Sequence, residues 1–522
     1  MTKNGETKMT ESEINPIIRS DYPDPDVVRV GDTYYMVSTT MHFMPGGVIL
    51  RSYDLAHWEI VSYIFDKLDE TAEERLEREQ TNYGRGMWAP CIRYHEGVFY
   101  VVFVSHGTKT TYLFTSKSPE GPWEKKIIEG YYHDCSLLFD DGKVYVAHGN
   151  REIHLTQLKE DLSGPKPGGI DRVIVKEPDD FPGWLGYEGS HIYKINGEYY
   201  VFLIHWPAND MRTECCFVAD TIEGDFKGGD VLRDARGFFG NGVAQGGIVD
   251  TPNGRWFSVM FQDSGAVGRM PILVPIKWEN DFPVFGSNGK IPKQFEISSS
   301  RPYYRYEPVY TSDTFEGSAE TRHPSLKLQW QWNHCPDDNL WEIRPEGGLK
   351  IRSGKICSNL TYAVNTLTQR MMWPKCEAEV TIDASGLKEG DVAGMCALQG
   401  DYGYLGITMT AGVYYLIKVV HKTENAPKGL MTPGDYLPGT VADKIRLSSS
   451  CVTVCLKPSF EGMADKLDFF YLKDGRMARV GNSHKLCFRL DHFTGCRFGL
   501  FMFSTREVGG EAVFTDFKYR YE

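Results

Sequence analysis

A pattern of paired strands recurs five times in the first half of this 522-residue chain. In each unit a leader residue precedes a short apolar strand, a turn that contains glycine, and a second strand rich in aromatic residues. The five leaders are Asp24, Trp88, Asp134, Glu188 and Gln245. Hairpins that return at intervals of roughly 50 residues are typical of β-propellers. The pattern therefore predicts a propeller of five blades.

Three of the five leaders are acidic, and propeller geometry predicts where they meet. Blades are arranged radially around a channel, so equivalent positions before each first strand converge on one mouth of that channel. Asp24, Asp134 and Glu188 are therefore expected to form one cluster of carboxylates. The simpler alternative is that each acid only stabilises its own turn, as aspartate commonly does. Three acids at equivalent positions favour the shared site.

Composition and charge exclude some classes of partner. The formal net charge of −13 argues against nucleic acid and anionic membranes as partners, and it is compatible with a neutral substrate. No apolar run approaches the roughly 18 residues of a membrane-spanning helix. The first residues, 1–6, are polar and lack the hydrophobic segment of a secretion signal. We expect a soluble protein, cytoplasmic as the sequence stands, or periplasmic if a signal peptide was removed.

The chain divides into a tail and two domains. Residues 1–13 are expected to be a disordered tail, residues 14–300 the propeller, and residues 301–522 a second domain. After the polar boundary, longer alternating segments predict a β-sandwich. The fold class is therefore all-β, a five-bladed β-propeller followed by a β-sandwich. One insertion, Glu70–Gln80, has helix-forming composition and charges at i,i+4 spacing, which predicts a short exposed helix.

Motifs at the blade entries resemble those of glycoside hydrolase family 43. They are Asn15–Pro16, Tyr22–Asp26, Met87–Pro90, His133–Ser136 and Tyr187–Ser190. Later segments resemble the C-terminal sandwich of the family's two-domain β-xylosidase and α-L-arabinofuranosidase branch. They are Ser312–Phe315, Trp330–His334 and Leu367–Arg370. The resemblance spans nearly the whole chain. It implies a propeller enzyme with a concanavalin-like or jelly-roll-like sandwich, acting on arabinose- and xylose-containing plant polysaccharides.

The resemblance also implies a role for each acid. Asp24 matches the general base, Glu188 the general acid, and Asp134 the acid that tunes and orients Glu188. Family members of this kind invert the anomeric centre, with one carboxylate activating water and the other protonating the leaving oxygen. Inversion requires the two carboxyl groups to stand roughly 6.5–9.5 Å apart.

Five further residues are candidates for the sugar site. Arg269 matches an arginine that borders the sugar and could pair with Asp24 or Asp134. Trp88 and Phe43 match wall aromatics, with core packing as the alternative for both. Gln245 stands where many family members have a histidine. From the sandwich, the loop Phe493–Phe498 is expected to reach the rim of the pocket, with the contact made by the Phe498 ring or by the Arg497 guanidinium.

Neither a metal ion nor an organic cofactor is required for this chemistry, and no residue is assigned as a metal ligand. The resemblance allows a structural calcium ion in the propeller channel. The glutamine at position 245 puts a histidine-dependent metal in doubt, although an amide oxygen can still coordinate a hard cation.

The expected activity is inverting, exo-acting glycoside hydrolysis that releases terminal α-L-arabinofuranose from hemicellulose side chains or oligosaccharides. The loop Met41–Gly47 and the glutamine at 245 favour arabinofuranose. The alternatives are an exo-β-D-xylosidase or a dual-activity enzyme and, in a different class, a non-catalytic carbohydrate-binding propeller. The complete set of three acids argues against the last. The partner is an oligosaccharide or polysaccharide that contains arabinose or xylose, and the oligomeric state stays open.

Overall fold

A computed structural model describes residues 13–238, 240–317, 325–422 and 437–521. Almost the whole of the predicted tail, residues 1–12, lies outside the described residues. The described part of the chain is all-β, as predicted. Its helical structure consists of four 3₁₀ turns, namely Gly265–Val267, Asp338–Leu340, Leu360–Tyr362 and Gly462–Ala464. No helix of these residues combines the length and hydropathy of a membrane-spanning segment.

The predicted five blades are confirmed, each as a four-stranded antiparallel sheet. Strands are numbered in chain order. Blade one contains β1 (Asp26–Val30), β2 (Thr33–Ser38), β4 (Gly46–Ser52) and β5 (Glu59–Phe65), with the short β3 (Phe43–Met44) between β2 and β4. Blade two contains β6 (Cys91–His95), β7 (Val98–Ser105), β8 (Thr110–Ser116) and β9 (Glu124–Ile128). Blade three contains β10 (Ser136–Asp140), β11 (Lys143–Asn150), β12 (Glu152–Leu158) and β13 (Asp171–Lys176).

The last two blades complete the ring. Blade four contains β14 (Gly183–Ile195), β15 (Glu198–Pro207), β16 (Thr213–Ala219) and β17 (Lys227–Leu232). Blade five contains β18 (Val243–Asp250), β19 (Trp256–Asp263), β20 (Arg269–Glu279) and β21 (Phe282–Phe285). The first strand of each blade is innermost, and β1 contacts both β6 and β18, which closes the ring. The aromatic-rich second strands are buried between neighbouring blades, where their side chains fill the wedge that separates two radial sheets.

The C-terminal domain is a β-sandwich, also as predicted. Its strands are β22 (Gln331–Asn333), β23 (Trp341–Ile343), β24 (Leu349–Arg352), β25 (Leu367–Arg370), β26 (Cys376–Asp383), β27 (Asp391–Leu398), β28 (Gly403–Thr410), β29 (Val413–Val420), β30 (Thr440–Arg446), β31 (Cys451–Ser459), β32 (Lys466–Lys473), β33 (Arg476–Arg479), β34 (His484–Lys485), β35 (Arg497–Ser504) and β36 (Glu511–Tyr521). One sheet runs β3-β22-β25-β35-β27-β28-β29-β30, and the other runs β23-β24-β36-β26-β31-β32-β33 with β34 beside β32.

The two domains share a sheet. Strand β3 leaves the propeller and pairs with β22 of the sandwich, with Met44 opposite Trp332 and Phe43 opposite Asn333. The hydrophobic core of the sandwich likewise extends into the propeller, because it includes Val267 beside strand β20. The propeller mouth therefore lies against the sandwich.

The predicted helix at 70–80 is wrong. Residues 72–76 and 78–79 form turns, and the Glu77 amide donates to the Ala72 carbonyl in place of an α-helical ladder. The carboxylate of Glu74 is buried and accepts from the backbone amides of Asp69 and Thr71. The Cys335 amide of the sandwich donates to the Glu74 carbonyl at 2.8 Å. Tertiary contacts therefore override the helix propensity of the segment.

Candidate active site

Three of the five leader residues, and the glycine that follows a fourth, have a left-handed backbone conformation at the channel mouth. Asp24, Asp134 and Gln245 have φ of 50°, 46° and 58°, and Gly189, which follows Glu188, has φ of 68°. The left-handed region is costly for residues with a Cβ atom and often marks functional positions. The left-handed residue lies just before β1 and β10 and near the start of β18, so Asp24, Asp134 and Gln245 are directed by the same local geometry.

Asp24 is a buried carboxylate paired with a buried arginine. Its Oδ1 accepts from the Arg269 guanidinium at 2.8 Å, and its Oδ2 accepts from the Thr39 hydroxyl at 2.8 Å. The same guanidinium bonds Asp263 at 3.2 Å. The sequence left Asp24 and Asp134 as possible partners of Arg269, and in the structure Arg269 pairs with Asp24. Arg269 orients this carboxylate and balances its charge.

Asp134 and Glu188 form a second acidic group around His133. The ligand-type atoms of these three residues all lie within 4.8 Å of one another. His133 Nε2 is 3.3 Å from Glu188 Oε2 and 3.8 Å from Asp134 Oδ1. The side-chain amide of Asn150 also donates to Glu188 Oε2. In the described part of the chain, the side chains of His133 and Asn150 therefore both approach the same oxygen of Glu188, Oε2.

Burial and charge perturb two groups of this cluster. Burial raises the pKa of Asp134 to about 7; His133 opposes the shift, and the negative charges of Glu188 and Asp24 add to it. Burial alone would lower the pKa of His133, but the carboxylates of Asp134 and Glu188 outweigh it and raise that pKa to about 9. The cluster therefore holds protons at neutral pH, as expected for like charges crowded in a buried site.

The sandwich contributes a phenylalanine to this site. The Phe493 ring lies 4.3 Å from the Arg269 guanidinium carbon and 5.5 Å from the Trp88 ring centroid. Trp88 in turn lies 6.0 Å from the His133 ring. Trp88 and Phe493 are both half-buried, so each keeps a face open at the mouth. They form an aromatic wall that runs from Arg269 to His133.

A buried carboxylate fixes the loop that carries Phe493. Asp21 accepts from the Arg269 amide through Oδ1 and from the Gly495 amide through Oδ2, both at 2.8 Å. The backbones also approach closely here, since a Cβ added to Gly495 would lie 2.1 Å from the Val267 carbonyl oxygen. Asp21 therefore holds the sandwich loop in register with the strand that carries Arg269.

Two of the predicted aromatic residues lie elsewhere. Phe43 is 2% exposed, stacks against the Arg497 guanidinium at 3.4 Å, and belongs to an apolar cluster at the domain junction. Phe498 is fully buried in the sandwich core, edge-on to Tyr519. The Arg497 guanidinium, the alternative to Phe498, bonds Gln331 in the interior. The predicted loop is close to the site, but its other end, Phe493, makes the contact.

Gln245 lies beside the acidic cluster, in the innermost strand of blade five. A Cβ added to Gly189 would lie 2.8 Å from the Gln245 side chain, so the two residues are in direct contact. The backbone N–H of Gln245 donates to the buried Glu214 carboxylate at 2.7 Å. Glycine at 189 therefore leaves the space that the glutamine side chain fills.

The buried carboxylate of the channel, Asp26, does not suit a calcium ion. The buried carboxylate of Asp26 accepts from Arg93 at 2.7 Å and lies 3.1 Å from His191 Nδ1. Arg93 also bonds Ser136 at 2.6 Å, so its guanidinium crosses between the innermost strands. Calcium prefers six to eight oxygen ligands, whereas this carboxylate already has a permanent cation as its partner. No step of the chemistry is assigned to a metal.

Comparison with known proteins identifies the family. The profile of Glycosyl hydrolases family 43 matches residues 14–283, more than half of the chain. The chain belongs to glycoside hydrolase family 43. The Beta xylosidase C-terminal Concanavalin A-like domain matches residues 318–520, which confirms the two-domain branch. The protein is therefore a glycosidase.

Relatives within family 43 carry two kinds of name. A β-xylosidase of Formosa agariphila is 28% identical over 98% of this chain and 90% of its own. A xylan 1,3-β-xylosidase of a Vibrio species is 34% identical over 77% of this chain and 80% of its own. A non-reducing end α-L-arabinofuranosidase of Bacteroides ovatus is 23% identical over 78% of each chain.

Solved structures of the family have the same fold. A bifunctional GH43-CE protein of Bacteroides eggerthii superposes with a TM-score of 0.88 at 40% identity and covers 97% of this chain. This chain spans 63% of the length of that protein. An engineered family 43 enzyme described as having endo-xylanase and exo-arabinofuranosidase activity superposes with a TM-score of 0.86 at 26% identity. The match covers 97% of this chain and 99% of that enzyme.

Three residues at the site were not predicted from the sequence. His133 directly precedes Asp134, so its place beside a predicted acid was the available signal. Asn150 ends β11, one strand away from the leader of its blade. Phe493 lies 210 residues beyond the end of the propeller match, and within its loop no local pattern distinguishes it from Phe498 as the residue that contacts Arg269.

Proposed function

We propose that this family 43 glycosidase is an inverting exo-enzyme that removes one terminal pentose from a glycan. The observation that carries the proposal is that the two carboxylates have opposite kinds of environment. Asp24 is paired with Arg269 at 2.8 Å, whereas Glu188 shares a crowded acidic cluster with Asp134. General base and general acid need environments that differ in this way.

In the proposed reaction, water is the nucleophile. Asp24 accepts a proton from the attacking water as the water oxygen forms a bond to the anomeric carbon. The glycosidic bond breaks at the same carbon, and Glu188 gives its proton to the leaving oxygen. The products are a free pentose of inverted configuration and the shortened glycan. Afterwards Asp24 returns its proton to solvent, and Glu188 regains one.

His133 and Asp134 are proposed to supply and hold the proton that Glu188 uses. The His133 ring contacts both carboxyl groups and its pKa is raised to about 9, so it is charged at neutral pH. Asp134, with its pKa raised to about 7, lies in the same group. The ligand-type atoms of His133 and Asp134 lie within 4.8 Å of the Glu188 carboxylate, so these two groups can re-protonate Glu188 after each turnover.

The aromatic wall supports an exo mode of action. Phe493 and Trp88 cover the Arg269 side of the mouth, and a pocket closed on one side suits the end of a chain. Terminal α-L-arabinofuranose and β-D-xylose are the two candidate sugars. The loop Met41–Gly47, apart from the half-buried Pro45, and Gln245 are buried, so the features that favoured arabinofuranose are not used to choose between the two sugars. Both sugars occur in the names of relatives.

The test is a comparison of initial rates on 4-nitrophenyl α-L-arabinofuranoside and 4-nitrophenyl β-D-xyloside. We expect hydrolysis of at least one substrate, and the ratio of kcat/KM assigns the preferred sugar. The double variant Asp24→Asn, Glu188→Gln is the control for contaminating hydrolases. If the wild-type protein binds xylo- or arabino-oligosaccharides but hydrolyses neither aryl glycoside nor the oligosaccharides, the non-catalytic binding propeller replaces this proposal.

A further inference from the structure

A polar groove opens beside the candidate acid Glu188. Its volume is about 550 Å³, and blade three forms one wall through the hairpin that joins β11 to β12, while residues 176–179 form the other. Asn150 lines the groove and also donates to Glu188 Oε2. Because Glu188 is the proposed donor to the leaving oxygen, the groove begins where the leaving group departs.

Arg151 occupies the turn of that hairpin in a conformation that arginine rarely adopts. It lies between β11 and β12 with φ of 64°, in the left-handed region that favours glycine and asparagine. Its amide donates to the Tyr187 carbonyl, and its own carbonyl accepts from the Glu177 amide, both at 2.8 Å. The turn is therefore fixed to the residue that precedes Glu188.

The absence of a side chain at Gly186 makes room for the aliphatic part of the Arg151 side chain. A Cβ added to Gly186 would lie 2.5 Å from Arg151 Cγ, so glycine at 186 allows the side chain to pass along the groove wall. The side chain lines the groove and is exposed to solvent. A ligand in the groove can therefore reach the guanidinium without a change in the backbone.

The other charged groups of the groove have partners. Lys176 lies 3.2 Å from Glu152 and 3.1 Å from Asp179. Glu177 lies 3.8 Å from His205, whose pKa is raised to about 9 because neighbouring carboxylates outweigh its burial. For Arg151, the described residues provide no carboxylate within 4.0 Å. An uncompensated guanidinium thus lines the same groove as Asn150, which contacts the proposed acid Glu188.

We propose that Arg151 binds the carboxylate of a uronic acid carried by the leaving-group part of the glycan, an inference that rests on the proposed function. Guanidinium groups form bidentate hydrogen bonds to carboxylates, which gives orientation as well as affinity. The protein then prefers terminal pentoses on acidic glycans over the same pentoses on neutral glycans. Such a contact acts on the leaving-group side and leaves the choice of pentose to the channel mouth.

The test uses matched oligosaccharides of the preferred pentose that differ in one group. One bears a glucuronic acid on the leaving-group side, and the other bears its uncharged methyl ester. For the wild-type protein we expect kcat/KM to be roughly tenfold higher for the free acid, as for a hydrogen bond to a charged group at a solvent-exposed site. The preference should decrease as salt concentration rises, since exposed charges are screened.

Variants assign the preference to one side chain. Arg151→Gln should reduce the acid-to-ester ratio to near one, and Arg151→Lys should retain part of it. Lys176→Gln is the matched control, because it removes a groove cation that already has two carboxylate partners, and it should keep most of the ratio. Equal wild-type rates on acid and ester, or a ratio that survives Arg151→Gln, would overturn the inference. Wild-type hydrolysis of the aryl pentosides tests the proposed function independently of this ratio.

Discussion

The guanidinium carbon of Arg269 lies 4.3 Å from the ring centroid of Phe493, so an arginine of the propeller is covered by a phenylalanine of the sandwich. Arg269 also bonds the candidate base Asp24, and Asp21 bonds the backbones on both sides of the contact. The sandwich therefore contributes directly to the charge environment of the base. The contact lies at the junction where the two domains share a sheet and a core.

Replacing the covering ring should weaken substrate binding more than folding. Phe493→Ala removes a cation–π contact worth about 0.5–2 kcal/mol and one wall of the pocket, so we expect KM to rise roughly tenfold, the equivalent of 1.4 kcal/mol. Phe470→Ala is a suitable control, because Phe470 is also a half-buried phenylalanine of the sandwich and contacts Lys457 away from the site. Steady-state kinetics on the aryl pentoside measure the effect. Equal changes in both variants would exclude a role for Phe493 in the pocket.

The two candidate catalytic carboxylates should respond differently to the leaving group. Glu188→Gln should lower kcat by about 10²–10⁴-fold on natural glycosides, because general acid catalysis contributes that much. It should have a much smaller effect on aryl glycosides with acidic phenols, which leave without protonation. Asp24→Asn should abolish both reactions, because water activation is needed in each. Near wild-type rates for Asp24→Asn would show that another group is the base.

Removing one acid should stabilise the protein at alkaline pH. Burial raises the pKa of Asp134 from 3.8 to about 7, so between these values the folded state retains a proton that the unfolded state has lost. Stability therefore falls as pH rises through this window. The penalty is on the order of a few kcal/mol above pH 7. Asp134→Asn removes it, so the Tm at pH 8 should rise while activity falls, and the gain should disappear near pH 4.

In the same measurement of Tm against pH, Asp24→Asn should have the opposite effect on stability. Removing this carboxylate leaves the buried Arg269 with one partner fewer, and breaking a buried ion pair typically costs about 3–5 kcal/mol. Its Tm at pH 8 should therefore decrease. Similar decreases in both variants would mean that Asp134 is stabilising as a charged group, contrary to this account.

Truncation tests how far the propeller depends on the sandwich. A fragment that ends after about Ser300 loses β22, the partner of β3, and exposes the apolar surface around Val267. We expect an insoluble or inactive propeller, since large exposed apolar surfaces cause aggregation. Size-exclusion chromatography and the aryl pentoside assay measure this. A soluble fragment with full activity would show that the sandwich is dispensable.

The features predicted from the sequence were those that follow from repetition. The positions of Asp24, Asp134 and Glu188 could be compared across units, because each blade repeats the same strand, turn and strand. The structure brings these three residues to one mouth for that reason. The sandwich was likewise visible from its alternating segments.

The remaining features depend on contacts between distant parts of the chain. Phe493 meets Arg269 across the domain junction, and no local pattern distinguishes it from Phe498, which is buried five residues later. Phe43 resembles a wall aromatic in sequence, yet its strand leaves the propeller to pair with β22. The helix expected at 70–80 was wrong because burial of Glu74 and its contact with Cys335 outweigh propensity.

The central claim is that Asp24 activates water and does not attack the sugar itself. ¹H NMR of the anomeric proton during the first minutes of aryl pentoside hydrolysis tests it most directly, before mutarotation mixes the two forms. The account predicts that the first-formed pentose has the configuration opposite to that of the substrate. A first-formed pentose with the configuration of the substrate would indicate a covalent glycosyl-enzyme intermediate and would contradict the assignment of Asp24 as the base.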